Sequence, residues 1–78
     1  MPLTLTFVGP ISRPAAERIA SAQEHGIFDT VEDLLAHLGY LPVQFPHIAV
    51  LHEGRRLHAL ERVPENGELI IMVPTGGG

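Results

Sequence analysis

The chain opens with alternating apolar and polar positions, since residues 3–8 read Leu-Thr-Leu-Thr-Phe-Val. A period of two is typical of a half-buried β-strand. The pattern therefore predicts a first strand over these residues, with Leu3, Leu5 and Phe7 facing the core. The Gly-Pro pair that follows is expected to end the strand.

The clearest helical pattern covers residues 29–39. Its large apolar residues recur at i, i+3, i+4 and i+7 and so share one helix face; they are Val31, Leu34, Leu35 and Leu38. Either Asp29 or Thr30 can cap the first turn, because a short polar side chain accepts a free backbone N–H there. Gly39 is expected to end the helix, because glycine readily adopts the left-handed conformation.

Three further strands are expected in the second half of the chain. Residues 47–52 are rich in β-branched side chains and predict one strand. Residues 55–58 predict a short strand that pairs with it as a hairpin across the Glu53-Gly54 turn. Residues 68–73 predict the last strand. Pro74 follows it and cannot donate to a strand ladder, so the strand is expected to end there.

Residues 12–26 allow two interpretations. Pro14 and Gly26 can bracket an alanine-rich helix. However, Ile19 is the only large apolar residue between positions 13 and 25, so such a helix has almost no stripe to bury. The alternative is a turn at 13–16 and an irregular second strand within 17–23. We favour the strand, partly because of the family resemblance described below.

These elements predict an α+β domain with a four- to five-stranded mixed sheet packed on one main helix. One helix covers one face of a sheet, so the other face meets water or a partner. Residues 1–74 are expected to form this domain, and residues 75–78 a flexible tail.

Residues 69–73 of the last strand are apolar on both of its faces, whereas a strand with one exposed face alternates between apolar and polar residues. If Leu69, Ile71 and Val73 face inward, Ile70 and Met72 lie on the open face beside the threonines of the first strand. An exposed apolar patch often marks a partner site. The alternative is a wholly buried central strand.

Composition narrows the classes of function. The 78 residues form one small domain with a thin core and little room for a catalytic cavity. The net charge of -4 argues against nucleic-acid binding. No cysteine is present, which favours the cytoplasm. No apolar run is long enough to span a bilayer, and no signal peptide is recognisable.

Charged and metal-binding residues give weaker indications. Arg55 and Arg56 can pair with an acidic partner, although we favour a solvated hairpin strand as the explanation of both. The histidines fit no standard zinc spacing, so neither a metal site nor a stably bound cofactor is expected; they are His25, His37, His47, His52 and His58. No motif of an independent catalyst is present, so we do not expect an enzyme.

The most distinctive chemistry is the sequence Gly76-Gly77-Gly78 at the end of the chain. A backbone without Cβ atoms can pass through a slot too narrow for any side chain. A terminal carboxylate on such a flexible segment can enter another enzyme's active site, where ATP activates it as an acyl-adenylate. The acyl-adenylate can then react with a nucleophile. The alternative is a disordered tail or linker.

Taken together, four segments resemble the ubiquitin-like sulfur carriers of the ThiS and MoaD families. Residues 30–35 resemble the family's TV-x-x-LL helix start. The hairpin 48–57 has Glu-Gly-Arg where the family has an NG or DG turn. Residues 64–72 resemble L-x-DGD-x-V, with Asn-Gly-Glu in place of DGD. Residues 73–78 resemble the P-x-x-GG ending, with one extra glycine.

The resemblance implies a β-grasp fold and a carrier protein that is a cosubstrate or the small subunit of a synthase. It implies that Gly78 is adenylated by a ThiF/MoeB-like enzyme that uses ATP. Gly78 then becomes a thiocarboxylate and donates sulfur to an acceptor synthase subunit. In this scheme Gly77 completes the di-glycine and Gly76 is additional. Residues 12–25 match no part of the family pattern.

Two other functions remain open. Gly78 can be joined to a lysine of a target, which would make the protein a modifier; having no lysine itself, it cannot build lysine-linked chains on itself. Alternatively, the sheet acts as a noncovalent interaction module. The sequence does not distinguish a molybdopterin from a thiamin pathway or another sulfur acceptor.

Overall fold

Seven elements follow one another along residues 3–74, the part of the chain that this computed structural model describes. Four are strands, two are α-helices and one is a 3-10 helix. In chain order they are β1 (Leu3–Val8), α1 (Ala16–His25), α2 (Val31–Leu38), the 3-10 helix (Pro42–His47), β2 (Ala49–His52), β3 (Arg55–Arg56) and β4 (Gly67–Met72).

The four strands form one mixed sheet in the order β1-β4-β2-β3. Strand β4 runs parallel to β1, with Leu5 opposite Leu69. It runs antiparallel to β2, with Val50 opposite Ile71. The predicted α+β class with a mixed four-stranded sheet is therefore confirmed, and the last strand lies inside the sheet.

One face of the sheet packs against the helices. The residues of this inner face are all buried, and they are Leu3, Leu5, Phe7, Val50, Leu69 and Ile71. Helix α2 contributes the four apolar residues that its spacing predicts, and all four are buried. The alternate residues of the strands and the apolar residues of one face of α2 therefore pack into the same core, as the sequence pattern predicts for these elements.

Helix α2 begins and ends at residues suited to those positions. The side chain of Thr30 accepts a hydrogen bond from the backbone N–H of Asp33 at 3.1 Å. Thr30 is therefore the cap, and not Asp29. At the other end Gly39 has φ of 100°, a left-handed conformation that side chains disfavour.

The prediction of a strand within residues 17–23 is wrong, because α1 covers these residues. The expectation of a single main helix is wrong for the same reason. A short helix at the edge of the domain needs only a narrow apolar stripe. Ala22 supplies it with 0% exposure, and Ile19 packs partly against the core. Local propensity decides the conformation here, and Gly26 ends the helix in the left-handed region.

Smaller differences occur at the ends of elements. Residues Pro42–His47 form a 3-10 helix, so β2 begins at Ala49 and not at His47 as predicted. Strand β3 has two residues where four were expected. Strand β4 covers Gly67–Met72, one residue earlier than predicted at each end.

Candidate functional site

The sheet face opposite the helices is the candidate binding surface. Ile70 and Met72 lie on it and are half-buried, whereas their neighbours Leu69 and Ile71 are fully buried on the inner face. The predicted placement of Ile70 and Met72 is confirmed.

Apolar neighbours from both adjacent strands enlarge this surface. Strand register places Leu51 opposite Ile70, and Val8 and Ala49 opposite Met72. Val8 is 43% exposed, although Ala49 is buried. We define the outer patch as these residues together: Val8, Ala49, Leu51, Ile70 and Met72.

Polar side chains border the outer patch on two sides. Arg56 lies opposite Leu51 on the far strand and is exposed. Glu68 lies on the same face as Ile70, and its carboxylate accepts a hydrogen bond from the Thr6 hydroxyl at 2.5 Å. An apolar centre with a charged rim is the usual composition of a protein-binding surface.

The two adjacent arginines point to opposite faces of the sheet. Arg56 borders the outer patch, but Arg55 lies opposite His52 and pairs with the carboxylate of Glu61. One of the two Arg55–Glu61 hydrogen bonds measures 3.2 Å. The guanidinium of Arg55 is therefore engaged within the chain, whereas Arg56 is exposed at the border of the outer patch.

The carboxylate of Glu61 connects β3 to the turn that follows it, because it contacts both Arg55 and the backbone N–H of His58. The Arg55 guanidinium lowers the pKa of Glu61 to about 2, and the backbone N–H of His58 at 3.1 Å contributes in the same direction. The Glu61 carboxylate in turn raises the pKa of Arg55.

Replacing Glu61 is expected to change the acid response of the fold. Because the pKa of Glu61 is lower in the folded chain than its ordinary value of 4.5, its stabilisation is present above that pH and is lost as the pH falls towards about 2. In Glu61→Gln the unfolding temperature should therefore fall less over this interval than in the wild type. Thermal unfolding followed by circular dichroism checks this.

The matched control is Glu65→Gln. It removes a carboxylate that pairs with Arg62 at 3.2 Å on the surface, and exposed pairs contribute little. It should keep the wild-type pH profile. An unchanged profile in Glu61→Gln would show that the Arg55 contact has no influence on stability.

A cluster of aromatic rings between the two helices was not expected. The rings of His25 and His37 stack with centroids 6.0 Å apart, and Phe28 meets both edge-on. The Ser21 hydroxyl lies 3.0 Å from Nε2 of His37. The sequence contains no sign of this contact, because it depends on α1 being a helix.

The residues predicted to carry the chemistry, Gly76, Gly77 and Gly78, lie outside the described residues. The described chain approaches them through β4, which ends at Met72, and Val73, which packs partly against the core. Pro74 is exposed and follows the end of the strand, as its missing N–H predicts.

Comparison of the chain with protein-family models, with curated proteins and with solved structures gave no match in any of the three. Within residues 3–74 neither helix has the length and apolar character needed to cross a bilayer.

Proposed function

We propose that this protein is a ubiquitin-like sulfur carrier with a β-grasp fold, and that the carboxyl group of Gly78 carries the sulfur. The observation that supports it most is the position of β4. The strand that leads towards the glycines lies inside the sheet, between β1 and β2. Its outward residues Ile70 and Met72 form the middle of the outer patch. One element thus connects a docking surface to the reactive terminus.

The proposed chemistry takes place in a partner's active site. The carboxylate attacks the α-phosphate of ATP, pyrophosphate leaves, and an acyl-adenylate forms on Gly78. The sulfur of a sulfide ion then attacks the acyl carbon. The C–S bond forms as the C–O bond to AMP breaks, AMP leaves, and the thiocarboxylate remains on Gly78. Glycine suits this role because its backbone threads a narrow channel.

The body of the protein has the task of binding the activating enzyme. A half-buried apolar patch next to the exposed Arg56 suits a partner surface with an apolar centre and an acidic residue at its edge. The acceptor synthase subunit is proposed to use the same face after the activating enzyme has left.

Intact-mass spectrometry tests this function directly. The protein is incubated with a ThiF/MoeB-like activating enzyme, ATP and sulfide. The expected product is heavier by the difference between one sulfur and one oxygen atom, and it reverts when an acceptor synthase consumes it. Adducts joined to lysines of other proteins would instead identify a protein modifier.

Trimming Ile70 is expected to weaken binding of the activating enzyme without changing the chemistry. In Ile70→Thr the β-branched shape is kept, but apolar area at the middle of the outer patch is lost. Truncating a central contact residue costs about 1–2 kcal/mol, so KM for the carrier should rise about tenfold while kcat stays the same. Pyrophosphate release measures both constants.

Val43→Thr is the matched control, because Val43 is 73% exposed and lies in the 3-10 helix, away from the outer patch. Its KM should equal that of the wild type. Equal constants for the wild type and Ile70→Thr would exclude the outer patch as the docking surface.

A further inference from the structure

Strand β1 has a partner on one side only. It pairs with β4, and within residues 3–74 no strand pairs with its other edge. The backbone N–H of Leu5 and the carbonyl of Phe7 point towards this edge, because both contact side chains from outside the sheet. Alternation along a strand assigns the backbone groups of Leu3 to the same edge.

Two side chains occupy this edge in place of a strand. The Gln23 side-chain oxygen accepts the N–H of Leu5 at 3.0 Å, as a carbonyl of a neighbouring strand would. The Arg13 guanidinium donates to the Phe7 carbonyl at 3.4 Å, near the limit for a hydrogen bond. Both side chains are long, and both can rotate away.

A groove lies along the first half of this edge. It has a volume of about 380 Å³ and is lined by Leu3, Thr4, Ala20, Gln23 and Glu24. Gln23 therefore lines the groove and also accepts the N–H of Leu5, where an added strand would bind. Ala20 has a side chain short enough to leave that space open.

Strand β1 lacks the features with which edge strands usually prevent pairing. Its six residues, Leu-Thr-Leu-Thr-Phe-Val, include no charge and no proline, and its register with β4 continues without a bulge. Proteins commonly place lysine, proline or a bulge at such an edge. Among residues 3–74, the side chains that hydrogen-bond to this edge are Gln23 and Arg13.

The sequence of β1 is complementary to itself when two copies run antiparallel about Leu5. Leu5 then faces Leu5 of the second copy, and Leu3 faces Phe7, so apolar residues meet on the inner side. Thr4 faces Thr6 on the outer side, a pairing that stabilises antiparallel sheets. No like charges meet anywhere along this pairing.

We propose that the outer edge of β1 binds a second copy of this chain, forming a continuous sheet across a two-fold axis, and that the Gln23 side chain competes with this pairing. Reciprocal hydrogen bonds would form between the two Leu5 residues and between each Leu3 and the opposite Phe7. Each copy must first release its Gln23 bond to Leu5 and the longer Arg13 bond to Phe7. The Gln23 side chain and the second copy therefore compete for the same Leu5 N–H.

Sedimentation equilibrium of Gln23→Ala tests the competition. One net hydrogen bond shifts an equilibrium by about fivefold, so releasing two Gln23 bonds per dimer should tighten self-association about 25-fold. Alanine favours the helix, so α1 should persist. Gln44→Ala is the matched control, because it removes the same type of bond at the start of the 3-10 helix, where the Leu41 N–H donates to the Gln44 side-chain oxygen at 2.8 Å. It should self-associate like the wild type.

A chemically synthesised Gln23→Ala chain with N-methyl-Leu5 identifies the surface. The methyl group removes the edge N–H while keeping the core side chain and the β4 ladder, so the dimer should dissociate. Folded Gln23→Ala that self-associates no more tightly than the wild type would overturn the proposal, and so would a dimer that survives N-methylation. Protection of β1 amides only by an added extended peptide would assign the edge to a peptide instead. None of these measurements involves Gly78, so their failure leaves the sulfur-carrier proposal intact.

Discussion

Deleting Gly77 and Gly78 is expected to abolish thiocarboxylate formation while the fold keeps its stability. The described core lies within residues 3–74 and includes neither glycine. The shortened chain would present a carboxylate two residues too near the body, out of reach of the nucleotide. A displacement of even 1 Å can cost about a hundredfold in rate, so a displacement of several ångströms should leave no measurable activity.

Adenylation is measured by ATP–pyrophosphate exchange, and stability by urea unfolding of both chains. The informative control is Gly78→Ala, which keeps the length and adds one Cβ. It should slow exchange without stopping it, because only the narrowest part of the channel is affected. Full biological function of the shortened chain would rule out any covalent role for the tail and leave a noncovalent interaction module.

Replacing Leu69 with alanine is expected to remove a large part of the stability. Leu69 lies at the middle of β4 with 0% exposure, opposite Leu5 on β1 and His52 on β2. Buried Leu→Ala changes cost about 2–5 kcal/mol. A domain of this size has a free energy of unfolding of roughly 4–12 kcal/mol. Urea unfolding should therefore show a greatly lowered midpoint.

Ile70→Ala is the matched control in the same strand. Ile70 faces the opposite side and is only half-buried, so its truncation removes less buried area and should cost clearly less than that of Leu69. Equal losses for the two variants would mean that both faces of β4 are covered to the same degree, which would contradict an open outer face.

The sequence correctly predicted the elements in which the buried residues recur at a regular spacing. The alternation of residues 3–8 and the spacing from Val31 to Leu38 both reflect one covered face. Helix α1 was mispredicted because its apolar stripe consists of a small residue, Ala22, and a half-buried Ile19. Such a stripe is almost invisible in a pattern of large apolar residues.

The candidate site could be predicted only in part. Because alternate residues of a strand share a face, the sequence of the last strand placed Ile70 and Met72 together on the outer face. Val8 and Leu51 join them through the pairing register, which sequence alone does not specify. The same alternation already separates Arg55 from Arg56, whereas the contact of Arg55 with Glu61 depends on the turn between them.

The parallel pairing of β1 with β4 has a consequence for biosynthesis. Leu5 is synthesised long before its cross-strand neighbour Leu69. Long-range pairing of this kind slows folding, and the sheet cannot close until β4 has left the ribosome. The nascent chain must therefore keep Leu3, Leu5 and Phe7 from aggregating until β4 is available to pair with β1.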